Sequence, residues 1–236
     1  MKKNNSWQET LKEIFFPRVC FICEREIKEG ILCQLCFEKI VFLTPPLCRM
    51  CSLPLKSNSN LCRNCRNKYF FYDQLVSVAL YQTPLSSLIH LFKYREYAFL
   101  KKFFASLMVS HLKRIGFDFT PYNLIVSVPS HPLRIREKGY NQSQLLAEEL
   151  SSFLNIPYSK NILICTKYHK TQTQLNYRER ILNIEGNFCA QGDLTGKNII
   201  LVDDVVTTKA TISECSKVLK ERGASSITII TLARAQ

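Results

Sequence analysis

Residues 199–215 read IILVDDVVTTKATISEC, and the order of side-chain types along this stretch decides the architecture of most of the chain. Four apolar residues, 199–202, form a buried strand. Asp203 and Asp204 stand at its carboxyl end, and the short loop Thr207, Thr208, Lys209, Ala210, Thr211 opens a helix. Adjacent carboxylates are costly to bury unpaired, so they face a cleft and take sugar hydroxyls or a metal ion. Backbone N–H groups at a helix start carry partial positive charge and threonine hydroxyls add donors, which together make a phosphate cradle. Capping of the helix by Thr207 and Thr208 is the plainer use of the loop. A ligand with both ribose and phosphate satisfies both halves of the string.

Outward from this stretch, short apolar runs at 75–81, 123–129, 198–204 and 226–233 read as strands. Between them, 97–115, 141–153 and 211–222 carry apolar residues at helical spacing, as in Leu145, Leu146, Leu150 and Phe153. The alternation predicts an α/β domain with a mostly parallel sheet and helices on both faces, whose ligands bind at the carboxyl ends of the strands.

Composition bounds the rest. The 236 residues are 46% hydrophobic with 7 Gly and 9 Pro, which excludes disorder and fibrous repeats. No apolar run is long enough to span a membrane, and the start MKKNNSWQETLKEIFF has no continuous apolar segment like that of a secretory signal. A cytosolic location follows, and in a reducing compartment cysteines serve metals or catalysis and not disulfides. The formal charge of +13 implies a polyanionic partner: nucleic acid, a phosphorylated small molecule or an anionic lipid surface.

Eight of the 11 cysteines lie before residue 66, as the CxxC pairs Cys20/Cys23, Cys33/Cys36, Cys48/Cys51 and Cys62/Cys65. Two residues between cysteines let both thiolates of a knuckle reach one ion, and two knuckles complete the four-sulfur shell that zinc favours. Two zinc ions are expected. Sequential pairing is the simplest assignment, with nested and interleaved pairings open on spacing alone. Closed sulfur sites leave no position for a substrate, so the metal is structural and supplies much of the folding free energy of a small domain over 1–70, ahead of a larger one over 71–236. That small domain carries 12 basic and 6 acidic side chains, against 20 and 13 in the remainder.

The 199–215 string resembles the phosphoribosyl pyrophosphate (PRPP) signature of type I phosphoribosyltransferases. The resemblance implies that Asp203 and Asp204 hold the ribose hydroxyls, that 207–211 hold the 5′-phosphate, and that Mg²⁺ accompanies PRPP. Where that family has glycine this sequence has Lys209. Glycine permits positive φ and close approach of the backbone, whereas lysine adds a Cβ and a cation. Either the lysine swings outward and adds charge to the phosphate, or its backbone strain widens the loop.

Upstream, SVPSHPLRIREKGYNQSQLLAEEL at 127–150 follows a strand and carries Arg134, Arg136 and Lys138 ahead of Gly139, while HLFKY ends at Lys93 and Tyr94. With TQTQLNYRERILNIEGNF at 171–188, the paired cysteines and a terminal LAR, these elements resemble the ComF family, named for competence protein F and linked to natural transformation. The resemblance runs from a helix at 7–16 to residue 234. It implies that Ser130 and His131 belong to a pyrophosphate loop and that 134–139 form a flexible lid.

Two functions follow. The first is a phosphoribosyltransferase that passes phosphoribose from PRPP to an unidentified acceptor with loss of pyrophosphate. The second is a protein that binds incoming single-stranded DNA through Lys93, Tyr94, Tyr140, Tyr168, Lys170, Tyr177, Arg178 and the basic zinc module. The resemblance implies a competence helicase and recombination mediators as partners, on the cytoplasmic side of the membrane. Peripheral attachment there through the apolar stripe of 97–115 is a further expectation, beside the plainer use of that stripe in covering the sheet.

Overall fold

The computed structural model describes residues 18–56, 59–167 and 184–236. The helix expected at 7–16 and the residues Tyr168, Lys170, Tyr177 and Arg178 lie outside them. In chain order the strands are β1 (Gln74–Leu80), β2 (Leu124–Ser127), β3 (Leu163–Cys165), β4 (Phe188–Ala190), β5 (Asn198–Val206) and β6 (Ser226–Arg234). The helices are α1 (Gln34–Glu38), α2 (Leu85–Leu91), α3 (Leu100–Arg114), α4 (Pro132–Lys138), α5 (Gln142–Leu154) and α6 (Ala210–Glu221). Four strands form a parallel sheet in the order β1-β6-β5-β2, while β3 and β4 make a separate antiparallel pair.

A strand buried on both faces sends alternate side chains into two cores, which is why β5 and β6 read as unbroken apolar runs. Ile200 and Val202 join Val76, Val78, Ile125 and Ile230 against α2, α3 and α5. Ile199 and Leu201 join Leu75, Val126, Ile227 and Ile229 against α6, with Leu163 of β3 and Ala190 of β4. Each such fully buried side chain contributes about 1.5–3 kcal/mol relative to an exposed one. The stripe of α3 is spent here: Leu100, Phe104, Met108 and Leu112 are fully buried. No helix among the described residues is long and apolar enough to cross a membrane.

The cysteine-rich segment is joined to the sheet before residue 70 is reached. At the edge of β1, Leu43 N donates to Val78 O at 2.9 Å and Leu80 N to Val41 O at 2.9 Å. Further along, Leu75 N donates to Arg49 O and Ser77 N to Ser52 Oγ. These bonds cover an edge strand whose N–H and C=O groups would otherwise be open to water or another chain. Buried His111 of α3 fastens the same segment, with Nε2 2.9 Å from Leu43 O and Nδ1 2.9 Å from Arg114 Nη2, its ring stacked on Phe42. Arg114 donates to Nδ1, so the ring proton sits on Nε2 and is donated to Leu43 O.

Candidate functional site

Strand β2 ends at Ser127, level with Val202, and Val128 N bonds Val202 O at 2.9 Å, while β5 runs on to Val206 beside β6, so that Asp203 and Asp204 lie within its last residues and not beyond its end. The residues after Ser127 therefore leave the sheet beside this last part of β5, toward the carboxyl edge where such sheets bind ligands.

Asp203 is the more enclosed of the acidic pair. Its Oδ1 accepts from Ser143 Oγ at 2.8 Å and from Asp204 N at 3.0 Å, while Asp204 Oδ1 accepts from Val205 N at 2.8 Å. Burial first, and then the charge of Asp204, push the Asp203 carboxyl well above the usual carboxylate range, against the Ser143 bond. A cation or a sugar hydroxyl at this place relieves that cost. Ser143 stands in the first turn of α5, held by Asn141, whose side chain accepts from Ser143 N and donates to Val128 O at 2.9 Å. Between them, Gln142 is 7% exposed, and its Nε2 is buried with no hydrogen-bond partner among the described residues. Asn141 as an N-cap was legible, since Asn precedes an apolar-periodic stretch; the Ser143 bond to a residue sixty positions away was not.

Residues 207–209 join β5 to α6, 210 and 211 begin the helix, and no acidic residue offsets its positive end in the first turn. Lys209 is the N-cap with φ 65° and ψ −5°, so its backbone adopts the left-handed conformation that glycine takes without penalty. Its side chain turns toward the cysteine-rich segment. Nζ lies 5.0 Å from the centre of the Phe70 ring and 3.6 Å from Cys65 Sγ. Beside the loop, a cavity of about 300 Å³ is lined by Tyr69, Phe70, Glu185, Thr208, Lys209 and Glu214. Arg234 at the end of β6, only 7% exposed, donates from Nη1 to Val206 O at 2.8 Å and Thr207 O at 2.7 Å.

The segment expected as a loop at 134–139 is largely helical. His131 caps α4 by accepting from Leu133 N, Pro132 starts it with a preset φ, and Gly139 ends it at φ 91°. Arg134, Arg136 and Lys138 thus ride one short helix beyond Ser130. Desolvation, then the charges of Arg134 and Lys93, hold the Lys138 ammonium below its ordinary range, with Asp204 opposing them. Lys93, Arg134, Lys138 and Asp204 therefore share one electrostatic neighbourhood. Tyr94 is 52% exposed, whereas Tyr140 is half-buried, with its ring on Phe92 and its hydroxyl against the Phe92 and Tyr94 carbonyls.

The thiols gather in sequence order: Cys20, Cys23, Cys33 and Cys36 in one group and Cys48, Cys51, Cys62 and Cys65 in the other, with ligand atoms within 4.8 Å of one another. Zn–S bonds of about 2.3 Å in a tetrahedron set sulfurs about 3.8 Å apart. Cys23 and Cys33 stand at 3.6 Å and Cys51 and Cys62 at 3.7 Å, so the sulfur cages fit the ion. Burial raises the Cys20 thiol, yet backbone N–H groups of Cys33, Cys23 and Ile22 bring it down to about 6, while burial, and then the neighbouring sulfurs of Cys23, Cys33 and Cys20, push Cys36 up to about 12. A cation ends that conflict.

A double zinc ribbon fused to a phosphoribosyltransferase-type domain is the class these features define. Residues 11–69 match the double zinc ribbon domain family and residues 141–236 the phosphoribosyl transferase domain family. The chain is 33% identical to competence protein F of Haemophilus influenzae, over 94% of this chain and 99% of that protein. It is 31% identical to DNA utilization protein YhgH of Escherichia coli, over 92% and 97%, and 27% identical to competence protein ComFC of Bacillus subtilis, over 92% and 95%. Among solved structures, a purine phosphoribosyltransferase from Pyrococcus horikoshii aligns over 58% of this chain and 83% of its own, at 18% identity and a TM-score of 0.37. The chain belongs to the competence protein F (ComF) family.

Proposed function

We propose that the protein binds PRPP with Mg²⁺ at the carboxyl ends of β2 and β5, and handles single-stranded DNA taken up in natural transformation. The observation that carries the first half is the juxtaposition, toward one strand end, of a half-buried acidic pair with a helix-opening loop that has no acidic residue of its own. Asp203 and Asp204 take the ribose hydroxyls, 207–211 the 5′-phosphate, and Ser130, His131 and the α4 cations the pyrophosphate. Gln142 Nε2, one residue from Ser143 and a buried donor without an acceptor among the described residues, supports a ligand oxygen nearby. Mg²⁺ accompanying PRPP would supply positive charge that offsets the pyrophosphate.

For DNA, the relatives named for competence and DNA utilization supply the context, and the surface supplies the chemistry. Lys93, exposed Tyr94 and Tyr69, which is 81% exposed at the rim of the cavity beside the loop, combine a cation with exposed aromatic rings of the kind on which bases stack. Tyr140 is left out, because its ring and hydroxyl are spent inside the protein. The protein works on the cytoplasmic side of the membrane, with a competence helicase and recombination mediators.

A second reading is turnover. A nucleophile attacks the anomeric carbon of PRPP, the bond to pyrophosphate breaks, and the pyrophosphate leaves with the electron pair. Arg134 and Lys138, in the neighbourhood of Asp204, favour it by stabilising the departing charge.

Fluorescence anisotropy of labelled single-stranded DNA on zinc-loaded protein, across a salt series with and without PRPP and Mg²⁺, tests the proposal. Salt-sensitive binding that PRPP displaces places both ligands at one site, and binding indifferent to PRPP moves DNA to the ribbons. Absence of DNA binding leaves the transferase, to be sought by pyrophosphate release.

A further inference from the structure

Lys209 is where this chain departs from the glycine of the phosphate loop, and its side chain reaches into the metal module. A residue with a Cβ held at φ 65° needs compensation. Nζ finds it at the Phe70 ring, 5.0 Å away, and at Cys65 Sγ, 3.6 Å away. A second cation makes the same connection from the other end of the loop. Arg234 donates from Nε to Cys51 O at 3.0 Å while its Nη1 holds Val206 O and Thr207 O. Cys51 and Cys65 belong to one four-sulfur group. Entry and exit of the loop are therefore both fastened to the second ribbon. One Zn²⁺ and four thiolates form a dianion, and Lys209 and Arg234 are two cations placed beside it, in the outer shell that tunes metal retention.

We propose that Lys209 and Arg234 are positioning residues that couple the second zinc centre to the anion-binding loop. Zinc at Cys48, Cys51, Cys62 and Cys65 holds 207–211 in the shape that receives phosphate. By reciprocity, phosphate on the loop slows departure of that ion and leaves the ion at Cys20, Cys23, Cys33 and Cys36 unaffected. The metal half of this coupling stands on the contacts alone, and the ligand half rests on the reading of 207–211 as a phosphate site.

The test uses the full-length, zinc-loaded protein and follows release of both ions to a chromogenic chelator, with and without saturating ribose 5-phosphate. Binding of ribose 5-phosphate is measured separately by titration calorimetry, and folding of each variant by circular dichroism. In the parent protein the ligand slows release of one ion several-fold. Lys209→Met keeps the side-chain bulk and removes the charge. It speeds release of that one ion about tenfold without any ligand, the scale of an outer-shell loss, and abolishes protection by the ligand. Lys209→Arg, which restores a cation over Phe70, recovers both effects.

Unchanged release from folded Lys209→Met overturns the proposal. So does release that is unaltered or hastened by ribose 5-phosphate when calorimetry shows it bound, since hastening means the lysine leaves sulfur for phosphate. If calorimetry shows no binding to the parent protein while Lys209→Met still loses zinc faster, the phosphate reading of the loop fails and the metal half stands.

Discussion

Replacing Asp203 by asparagine should stabilise the ligand-free protein, by an amount that grows with pH. Both hydrogen bonds to this side chain, from Ser143 Oγ and Asp204 N, converge on Oδ1. The single carbonyl oxygen of asparagine can keep both, so the substitution removes charge while the bonds remain. In the folded state burial and Asp204 raise the carboxyl well above its unfolded value of about 3.9. Between those two values the folded state holds the proton that the unfolded state has lost, so the contribution of this group to stability falls as pH rises. The penalty starts near pH 4, grows by about 1.4 kcal/mol for each pH unit through the window, and levels off above the folded value. The asparagine variant has no such slope. For a chain of this length 1 kcal/mol shifts Tm by about 2–4 °C. Thermal melts of both proteins from pH 4.5 to 8.5, without ligand, should show a Tm difference that opens with pH in favour of Asp203→Asn. The same variant should lose the rise in Tm that PRPP and Mg²⁺ give the parent protein. A destabilised variant, or a difference that does not change with pH, refutes the argument that Asp203 is held against its own charge.

Burial, with Arg114 adding to it and the Leu43 bond opposing, keeps His111 below its ordinary pKa and hence neutral when folded. The unfolded imidazole takes a proton near pH 6.5, so stability is full above that and declines as pH falls toward the lower folded value; His111→Gln should flatten the fall in Tm between about pH 6.5 and 5. Removing zinc with a strong chelator should release two ions per chain. It should also increase hydrogen exchange in 41–55 and along β1, which that segment covers, more than in β5 at the sheet centre.

The four strands of the parallel sheet were legible because apolar runs in a sheet covered on both faces need no partner information to be recognised. Their ends were less so: the run at 123–129 stops as a strand at Ser127, just before Val128 and Pro129, where a residue without an N–H cannot continue the ladder. Three short helices, α1, α2 and α4, and the strands β3 and β4 went unread, each too brief for a periodic pattern to stand out. The segment after Ser130 was read as a loop for the same reason, though Pro132 and Gly139 bracket it as a helix start and stop.

Features that depend on neighbours along the chain could be read from the residues alone. The four knuckles, the acidic pair at a strand end, the hydroxyl-rich helix start and the lysine in place of glycine are all set by spacings of a few residues, which covalent geometry converts directly into local shape. Folding in three dimensions was needed to settle which knuckles share an ion, that Asp203 is held by Ser143, and that Lys209 and Arg234 bind the ribbon to the loop. Those contacts join residues 60, 144 and 183 positions apart. No local periodicity carries such separations; they exist only once packing of the sheet against its helices and ribbons has brought the partners within bonding distance.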